Sequence, residues 1–398
     1  MATNNNDKTL NVPHLRFPEF TGEWEKVRLG DNCNIQMCKR IMAAQTNTEN
    51  GVPFYKIGTI GGKADAYISK ELFDEYKTKY SFPRKGEVMI TCAGTVGKCI
   101  IYNGEDSYYQ DSNIVWIDNP NEILSNDFLY HLLCKVNWSH LNSTTIVRIY
   151  NDDLRNLKLY YPRHNEQKKI THFLQLINER IATQIKIIED LKKLKSAIIE
   201  KIFNKLNSNK IRLGDIGSYI RGLTYSNDDV VEQDGVFVMR SNNIINGSSL
   251  DYQHNIVSVN KQILTEQQLQ NGDIIICMAN GSSSLVGKSS FYDGNCSTPI
   301  TVGAFCGIYR SKELIVKWLF QTSKYRRYIG NSLQGGNGAI ANLNGDDILR
   351  MSFSIPDAPT KDNSVKLLTS VDTLLESNLL LCGLYTKQKK YLLRQMFI

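Results

Sequence analysis

The stretch from Glu166 to Phe203 constrains the fold most strongly, because an unbroken heptad pattern runs through it. Its seam positions are Ile170, Leu174, Ile177, Ile181, Gln184, Ile188, Leu191, Lys195, Ile198 and Ile202. Spacings that alternate between four and three residues are typical of a coiled coil. No proline or glycine interrupts the stretch, so it predicts one helix on the order of 50 Å long at about 1.5 Å per residue.

A second heptad stretch, from Val365 to Ile398, supplies the partner that a seam needs. A displacement of 194 residues carries the first seam onto Ser364, Leu368, Val371, Leu375, Asn378, Cys382, Tyr385, Lys389, Leu392 and Met396. The polar positions coincide, since Gln184 falls on Asn378 and Lys195 on Lys389. Buried polar seam residues fix the register of a coiled coil. The matched positions favour one ancestral helix used twice, with two unrelated amphipathic helices as the alternative. Lys192, Lys193 and Lys195 would face Asp372 and Glu376 if the helices run antiparallel, which favours an antiparallel coiled coil.

The segments outside the helices repeat as well, which favours a duplication. Three pairs of matching segments are Val27-Arg28-Leu29-Gly30-Asp31 with Ile211-Arg212-Leu213-Gly214-Asp215, Val96-Gly97-Lys98 with Val286-Gly287-Lys288, and Asp152-Asp153-Leu154 with Asp346-Asp347-Ile348. The chain is predicted to be a tandem duplication of a globular domain followed by a long helix. The predicted boundaries are 1–162 with an N-terminal arm, 163–206 for the central helix, 207–358, and 359–398 for the last helix.

Each globular copy contains short strands and helices, which predicts an α+β fold. The predicted strands are Val52 to Ile57, Glu87 to Cys92, Cys99 to Tyr102, Ile114 to Ile117, Phe237 to Arg240, Asp273 to Met278, Lys288 to Tyr292 and Val302 to Tyr309. The predicted short helices are Phe128 to Val136 and Glu313 to Tyr328. The proline-punctuated segment before Trp24 is predicted to be an ordered arm.

Composition limits the class of protein. No run of about 18 apolar residues occurs, so neither a membrane span nor a signal peptide is expected. The nine cysteines form no C-x-x-C pair and predict reduced thiols in a cytoplasmic protein. The net charge of +7 lies in the two helices, which carry about +5 and +3 and leave the globular segments almost neutral.

No enzyme signature is complete. The stretch Gly281 to Lys288 has five residues between its glycines, where a phosphate-binding P-loop needs four, and the matching loop Gly94 to Lys98 has two. Both are therefore predicted to be hairpin loops. Glu75-Tyr76-Lys77 has the E-x-K spacing of metal-dependent nucleases without a convincing acidic partner upstream, and the six histidines form no metal-binding pair on a helix. The sequence predicts no catalytic residue and no metal site.

Loops rich in amide and cationic side chains favour the recognition of a surface such as DNA. The predicted DNA-binding residues are Arg40, Lys56, Lys98, Gln110, Asn113, Arg148, Arg221, Arg240, Asn242, Asn280, Lys288 and Asn337. Tyr108, Tyr109 and Asn243 lie in the same variable segments. The alternative is that the asparagines and serines only make turns.

Several motifs in a fixed order resemble the specificity subunit of type I restriction-modification systems. They are the arm Leu15-Arg16-Phe17-Pro18-Glu19-Phe20 before Trp24, the two Leu-Gly-Asp starts, the turns Lys85-Gly86-Glu87 and Asn271-Gly272-Asp273, and Glu166-Gln167-Lys168-Lys169-Ile170. The resemblance covers nearly the whole chain. It fails at Lys361-Asp362-Asn363-Ser364, where the Glu-Gln-x-Lys-Ile start of the second helix is missing.

The resemblance implies that each globular domain reads one half of a bipartite double-stranded DNA site, while the helices set the gap. It also implies two methyltransferase subunits docked on the helices, where we assign coiled-coil and partner-docking roles to Ile170, Leu174, Ile177, Ile181, Ile188, Leu191, Leu368, Leu375 and Leu392. Restriction subunits would join through them. S-adenosylmethionine, ATP and Mg are expected only in those partners, and this chain is expected to have no cofactor and no catalytic activity.

Two other classes stay open at this point: a coiled-coil scaffold that binds only proteins, and a self-contained nuclease or methyltransferase. The bases recognised and the length of the gap do not follow from the sequence.

Overall fold

The computed structural model describes residues 11–138, 148–204, 209–333 and 341–398. The chain divides into two compact units. The first unit comprises Met1–Gln184 and Leu381–Ile398, and the second comprises Ile185–Leu380. Each of the two long helices contributes one part to each unit. The domain boundaries predicted at residues 162, 206 and 358 stay predictions.

The first unit has a mixed α+β fold. Its strands are β1 (Glu25–Arg28), β2 (Asn34–Met37), β3 (Val52–Tyr55), β4 (Tyr67–Ile68), β5 (Val88–Thr91), β6 (Cys99–Ile101), β7 (Tyr108–Tyr109), β8 (Ile114–Asp118) and β9 (Lys158–Tyr161). Its helices are α1 (Leu29–Asn32), α2 (Lys70–Lys79), α3 (Asn126–Lys135), α4 (Asn151–Arg155) and the first part of α5 (His164–Phe203). The main sheet is antiparallel with the order β2-β8-β5-β6, and a smaller sheet has the order β4-β3-β7.

The second unit repeats this plan. Its strands are β10 (Asn209–Arg212), β11 (Gly217–Arg221), β12 (Val230–Val231), β13 (Val236–Met239), β14 (Val257–Val259), β15 (Ile274–Cys277), β16 (Ala279–Asn280), β17 (Ser289–Phe291), β18 (Ile300–Val302), β19 (Cys306–Ser311), β20 (Ala341–Asn342) and β21 (Ser352–Ile355). Its helices are α6 (Leu213–Ile216), α7 (Val316–Leu319), α8 (Ser323–Leu333), α9 (Gly345–Leu349) and part of α10 (Ala358–Gln395). The main sheet has the order β11-β19-β15-β17, which matches the first unit. The predicted duplication of an α+β domain is thereby confirmed.

The strand at the centre of each core is β5 or β15, and all four residues of both strands are buried. Gly86 and Gly272 precede these strands with φ angles of 93° and 92°, a conformation that a side chain disfavours. The sequence pattern of an apolar run after a glycine turn therefore located both strands correctly. Their neighbours β8 and β19, which are also interior strands of the sheets, pair with them along four residues each.

The two long helices pack side by side in opposite directions within each unit. In the first unit Ile170 and Leu174 share a core with Leu392 and Met396. In the second unit Ile199 and Phe203 share a core with Leu368. Every predicted seam position on both helices is buried or half-buried. The predicted antiparallel coiled coil is confirmed.

Two predicted elements are each broken in two. The strand predicted from Val302 to Tyr309 becomes β18 and β19, because the backbone turns at Gly303 and the amide of Cys306 donates to the Gly303 carbonyl at 2.8 Å. The helix predicted from Glu313 to Tyr328 becomes α7 and α8. Thr322 separates them, since its hydroxyl donates to the Leu319 carbonyl at 2.7 Å and accepts from the Tyr325 amide at 3.1 Å.

Helix α10 contains an 18-residue window with a mean hydropathy of 1.3, of which 17% is buried. By length and composition alone this helix could cross a membrane, a test that core helices also pass. Its seam face packs against α5, so the apolar window is partly explained by helix pairing.

Candidate nucleic-acid interface

Three loops meet at one end of the main sheet in each unit. In the first unit the Cys92 amide donates to the Asn113 carbonyl at 2.8 Å, and the Ile149 amide donates to the Cys92 carbonyl at 2.9 Å. We call this end the loop edge, formed by residues 92–98, 110–113 and 148–150 in the first unit and by 278–288, 303–305 and 342–344 in the second. The sheet holds these loops, so side chains distant in sequence become neighbours.

The first loop edge brings four predicted DNA-binding residues together around residues 110–113. Arg40 forms an ion pair with Asp111, and 68% of the Arg40 side chain remains exposed. Arg148 donates from Nη2 to Ser112 Oγ at 3.4 Å. Gln110 accepts at Oε1 from the Ile57 amide at 3.4 Å, and Asn113 is half-buried. The edge therefore offers two guanidinium groups beside two amide side chains.

The predicted lysines of the first unit are already engaged. Lys56 lies 3.0 Å from Asp65 in an exposed ion pair. Lys98 donates its ammonium to the Ile60 carbonyl at 2.5 Å. Surface ion pairs of this kind contribute little to stability and are screened by salt. A phosphate would have to replace these partners in order to bind either lysine.

In the second unit, the two predicted arginines line two cavities. Arg240 borders a cavity of about 470 Å³ together with Tyr225 and Ser241, and Arg221 borders one of about 540 Å³. Both volumes are within the range of ligand pockets, about 300–1,000 Å³. Phe305 lines both cavities and is 67% exposed. Sequence reasoning missed Phe305 because a phenylalanine inside a predicted strand is usually buried.

The other predicted residues of the second unit have different surroundings. Asn242 is exposed, and Asn280 donates from Nδ2 to Ser241 Oγ at 3.3 Å. Lys288 is half-buried, and its charge opposes the rise that burial causes in the pKa of the Cys306 thiol, which reaches about 12. Lys288 therefore lies beside thiols at the sheet end. Asn337 lies outside the described residues.

Three residues of the variable segments, Tyr108, Tyr109 and Asn243, are buried and so do not face a ligand surface. Tyr108 and Tyr109 form β7, which pairs in parallel with β3 in the smaller sheet. The Tyr108 hydroxyl donates to the Lys39 carbonyl at 3.0 Å, so its polar atom is used inside the protein. Asn243 donates from Nδ2 to the carbonyls of Asp251 and His254 and holds a turn.

The glycine loops form the hairpin connections β5–β6 and β15–β17, as predicted. Gly97 and Gly287 adopt φ angles of 81° and 75°. A Cβ atom on Gly287 would lie 2.6 Å from Ile329 Cγ1, and one on Gly97 would lie 2.1 Å from Trp138 Cδ1. These glycines therefore allow the loop to pack closely on a helix or an aromatic ring. Among the described residues, no cluster of three or more His, Cys, Asp or Glu side chains could hold a metal ion.

Replacing Gly287 by alanine is expected to lower the free energy of unfolding by about 2–4 kcal/mol, because the methyl group meets Ile329 and the positive φ is strained. Gly281→Ala is the matched control, since a Cβ there meets no heavy atom within 4 Å. Urea unfolding of both variants measures the difference. Equal midpoints would contradict the packing argument.

The long helices carry a second apolar surface that the sequence analysis did not single out. It lies outside the seam, and Leu367, Leu374 and Leu381 repeat in it at intervals of seven. The exposed apolar residues of the helices are Leu176, Leu381, Leu384 and Tyr391 in the first unit and Ile185, Ile187, Leu194, Leu367, Leu374, Leu379 and Leu380 in the second. Exposed apolar surface of this extent is typical of a protein interface. The predicted docking residues at the seam are used mostly for helix pairing.

The fold and the two loop edges define the class of the protein. It is a binding protein with a duplicated α+β domain and a pair of long helices. The family model for the type I restriction modification DNA specificity domain matches residues 21–193 and again residues 205–380. The chain belongs to this family of DNA specificity proteins.

Individual relatives agree with this assignment. A Haemophilus influenzae protein described as the type I restriction enzyme specificity subunit S.HindORF215P is 49% identical over 168 residues, which is 42% of each chain. The EcoKI specificity subunit of Escherichia coli is 33% identical over 173 residues, covering 40% of this chain and 34% of that protein. These matches therefore span less than half of the relatives.

Solved structures share the fold. The S subunit of a type I restriction-modification system from M. genitalium superposes with a TM-score of 0.58 at 15% identity and covers 97% of this chain and 99% of that one. A structure from a study of complex assembly in the type I R-M system gives 0.55 at 14% identity, covering 94% and 97%.

Proposed function

We propose that this protein is the specificity subunit of a type I restriction-modification complex and reads a bipartite double-stranded DNA site. The observation that carries the proposal is the repetition of one loop edge in two copies of the specificity domain. The first edge has the guanidinium groups of Arg40 and Arg148 beside amide side chains, and the second borders the cavities lined by Arg240 and Arg221. Guanidinium and amide groups bind guanine and adenine edges or phosphates. Each unit reads one half-site, and the paired helices set the gap between the half-sites.

The proposed partners are two methyltransferase subunits, and restriction subunits through them. The exposed leucines of α5 and α10 offer apolar surface for such partners. S-adenosylmethionine, ATP and Mg belong to those subunits in this proposal, and this chain acts without a cofactor and without catalysis in the cytoplasm. Since its globular segments are nearly neutral, partner subunits supply much of the phosphate binding.

The decisive experiment is co-expression with the methyltransferase subunit of a type I system from the same genome, followed by sequencing of modified adenines in the host. We expect one split motif that is methylated only when this chain is present. Arg40→Ala together with Arg148→Ala removes both guanidinium groups of the first loop edge and is expected to reduce methylation at that motif at least tenfold, about the loss of one good base contact.

The control is Arg350→Ala, since Arg350 is exposed, lies outside both loop edges and forms only a 3.9 Å surface ion pair with Asp346. Its methylation is expected to equal that of the wild-type protein. If an assembled complex methylates no split motif, the proposal is wrong and a scaffold that binds only proteins becomes the better interpretation.

A further inference from the structure

Equivalent backbone hydrogen bonds align the two loop edges residue by residue. The Met278 amide donates to the Phe305 carbonyl at 2.8 Å, as the Cys92 amide donates to that of Asn113. The Leu343 amide donates to the Met278 carbonyl at 2.8 Å, as the Ile149 amide donates to that of Cys92. Phe305 is therefore the counterpart of Asn113.

The residues that follow Ile149 and Leu343 are also counterparts. Tyr150 precedes α4 and Asn344 precedes α9, and each backbone amide donates to an aspartate three residues later, Asp153 at 2.7 Å and Asp347 at 2.9 Å. Each loop edge thus has two neighbouring positions, of which one is aromatic and one is asparagine. The two residue types are exchanged between the units. In the first unit the positions hold Asn113 and Tyr150, and in the second the same positions hold Phe305 and Asn344.

The aromatic member is exposed in both units. Phe305 is 67% exposed and Tyr150 is 57% exposed, and among the described residues Phe305 is the most exposed aromatic side chain. Burial of a phenylalanine normally stabilises a fold by about 1.5–3 kcal/mol. Because Phe305 is two-thirds exposed, it contributes little of this stabilisation. Both units keep an exposed aromatic ring at the loop edge, although the ring comes from a different position in each. This points to a common ligand for the two rings.

The surroundings of the rings favour nucleic acid over a protein surface. Arg148 lies with Cζ 5.9 Å from the centre of the Tyr150 ring and also contacts Ser112. Phe305 stands between the cavity bordered by Arg240 and the one bordered by Arg221. An aromatic ring beside cationic side chains suits duplex DNA, because the ring can contact the bases while the cations bind the neighbouring phosphates. The backbone of Phe305 is fixed, because both the Met278 and Ala279 amides donate to its carbonyl.

We propose that Phe305 and Tyr150 are the residues that insert against the bases of the two half-sites, each ring opening one base step of duplex DNA. Apolar side chains inserted at a base step unstack it and bend the duplex. This inference rests on the proposed function. Under this inference, specificity at each half-site depends partly on the free energy needed to unstack the base step that the ring enters.

The test uses the complex with its methyltransferase subunits and a duplex that carries the motif found by methylation sequencing. 2-Aminopurine replaces each purine of the half-sites in turn, and permanganate reports unstacked thymines. Phe305→Ala is expected to abolish the signal in one half-site only, and Tyr150→Ala in the other. Binding is expected to weaken about ten- to a hundredfold, the loss of one stacked base.

Matched variants distinguish a wedge from a merely structural residue. Phe305→Asn and Tyr150→Asn place at each position the residue that its counterpart carries, and both are expected to behave like alanine. Phe305→Leu keeps apolar bulk and is expected to retain the signal. Leu264→Ala removes a side chain of the same unit that is 61% exposed and lies outside the loop edge, and it is expected to change nothing.

Three outcomes overturn the inference. Unchanged unstacking in Phe305→Ala and Tyr150→Ala complexes that still methylate the motif rejects the wedge and leaves the proposed function intact. Loss of the methyltransferase subunits from either variant in size-exclusion chromatography assigns the ring to a protein contact. A wild-type complex that prefers no DNA sequence rejects the proposed function together with the inference.

Discussion

Replacement of Asp372 by alanine is expected to lower the free energy of unfolding of the second unit by about 3–5 kcal/mol, the cost of leaving buried charge without its partner. Asp372 lies between two lysines. Its Oδ1 is 2.7 Å from the Lys195 ammonium, its Oδ2 is 2.9 Å from the Lys317 ammonium, and its side chain is only 9% exposed. The variant would leave two positive charges facing each other near the core.

The rest of this network explains why the loss is large. The Trp318 indole donates to Asp372 Oδ2 at 3.1 Å, and Lys195 also donates to the Gly247 carbonyl at 3.1 Å. The Lys195 side chain is 8% exposed, so water cannot readily replace the carboxylate. The network joins α5, α7 and α10 within the second unit.

Urea unfolding followed by tryptophan fluorescence measures the effect, with hydrogen exchange to assign it to the second unit. Asp362→Ala is the control, because Asp362 is an exposed aspartate on the same helix and should change stability little. Adding Lys195→Met to Asp372→Ala removes one uncompensated charge and is expected to restore part of the stability. If Asp372→Ala matches Asp362→Ala, the network has no stabilising role.

Replacement of Glu166 by alanine is expected to destabilise the first unit by about 3 kcal/mol, because Glu166 is buried and accepts three hydrogen bonds. Arg16 donates to both carboxylate oxygens at 2.7 Å, and the Trp24 indole donates to Oε1 at 3.3 Å. These contacts fasten the N-terminal arm to the start of α5. The predicted ordered arm is thus held by a charge-assisted pair with bidentate geometry.

Glu19→Ala provides the comparison for Glu166→Ala. Glu19 pairs with Lys169 on the same arm and helix, but both side chains are almost half exposed. Exposed pairs contribute about 0–1 kcal/mol. Thermal unfolding and limited proteolysis of the arm should therefore separate the two variants. Equal protection of the arm in both would show that Glu166 does not hold it.

The two units thus use one chemical arrangement with different residues. In each, a buried carboxylate accepts a hydrogen bond from a tryptophan indole and forms an ion pair with basic side chains. In the first unit these partners are Trp24 and Arg16, and in the second they are Trp318 and two lysines. The two acids are not counterparts in the repeat, since the displacement of 194 residues carries Glu166 onto Thr360, twelve residues before Asp372.

The sequence by itself determined the long helices, the duplication and the central strands. Heptad spacing and alternation of buried residues are local properties, because each side chain direction follows from the helix or strand that contains it. An antiparallel pairing of the two helices places Lys195 opposite Asp372, and the 2.7 Å contact agrees. The family resemblance, carried by motifs in a fixed order, also followed from the sequence.

Only the tertiary structure decided which side chains meet at the loop edges. Tyr108 and Phe305 both lie in apolar, strand-like segments, yet the first is fully buried and the second is two-thirds exposed. The difference arises because β7 pairs with β3 inside a sheet, whereas the chain turns at Gly303 and lifts Phe305 out of the ladder. Such turns depend on hydrogen bonds between loops separated by many residues, as between Met278 and Leu343. The periodicity of a local segment therefore cannot predict them.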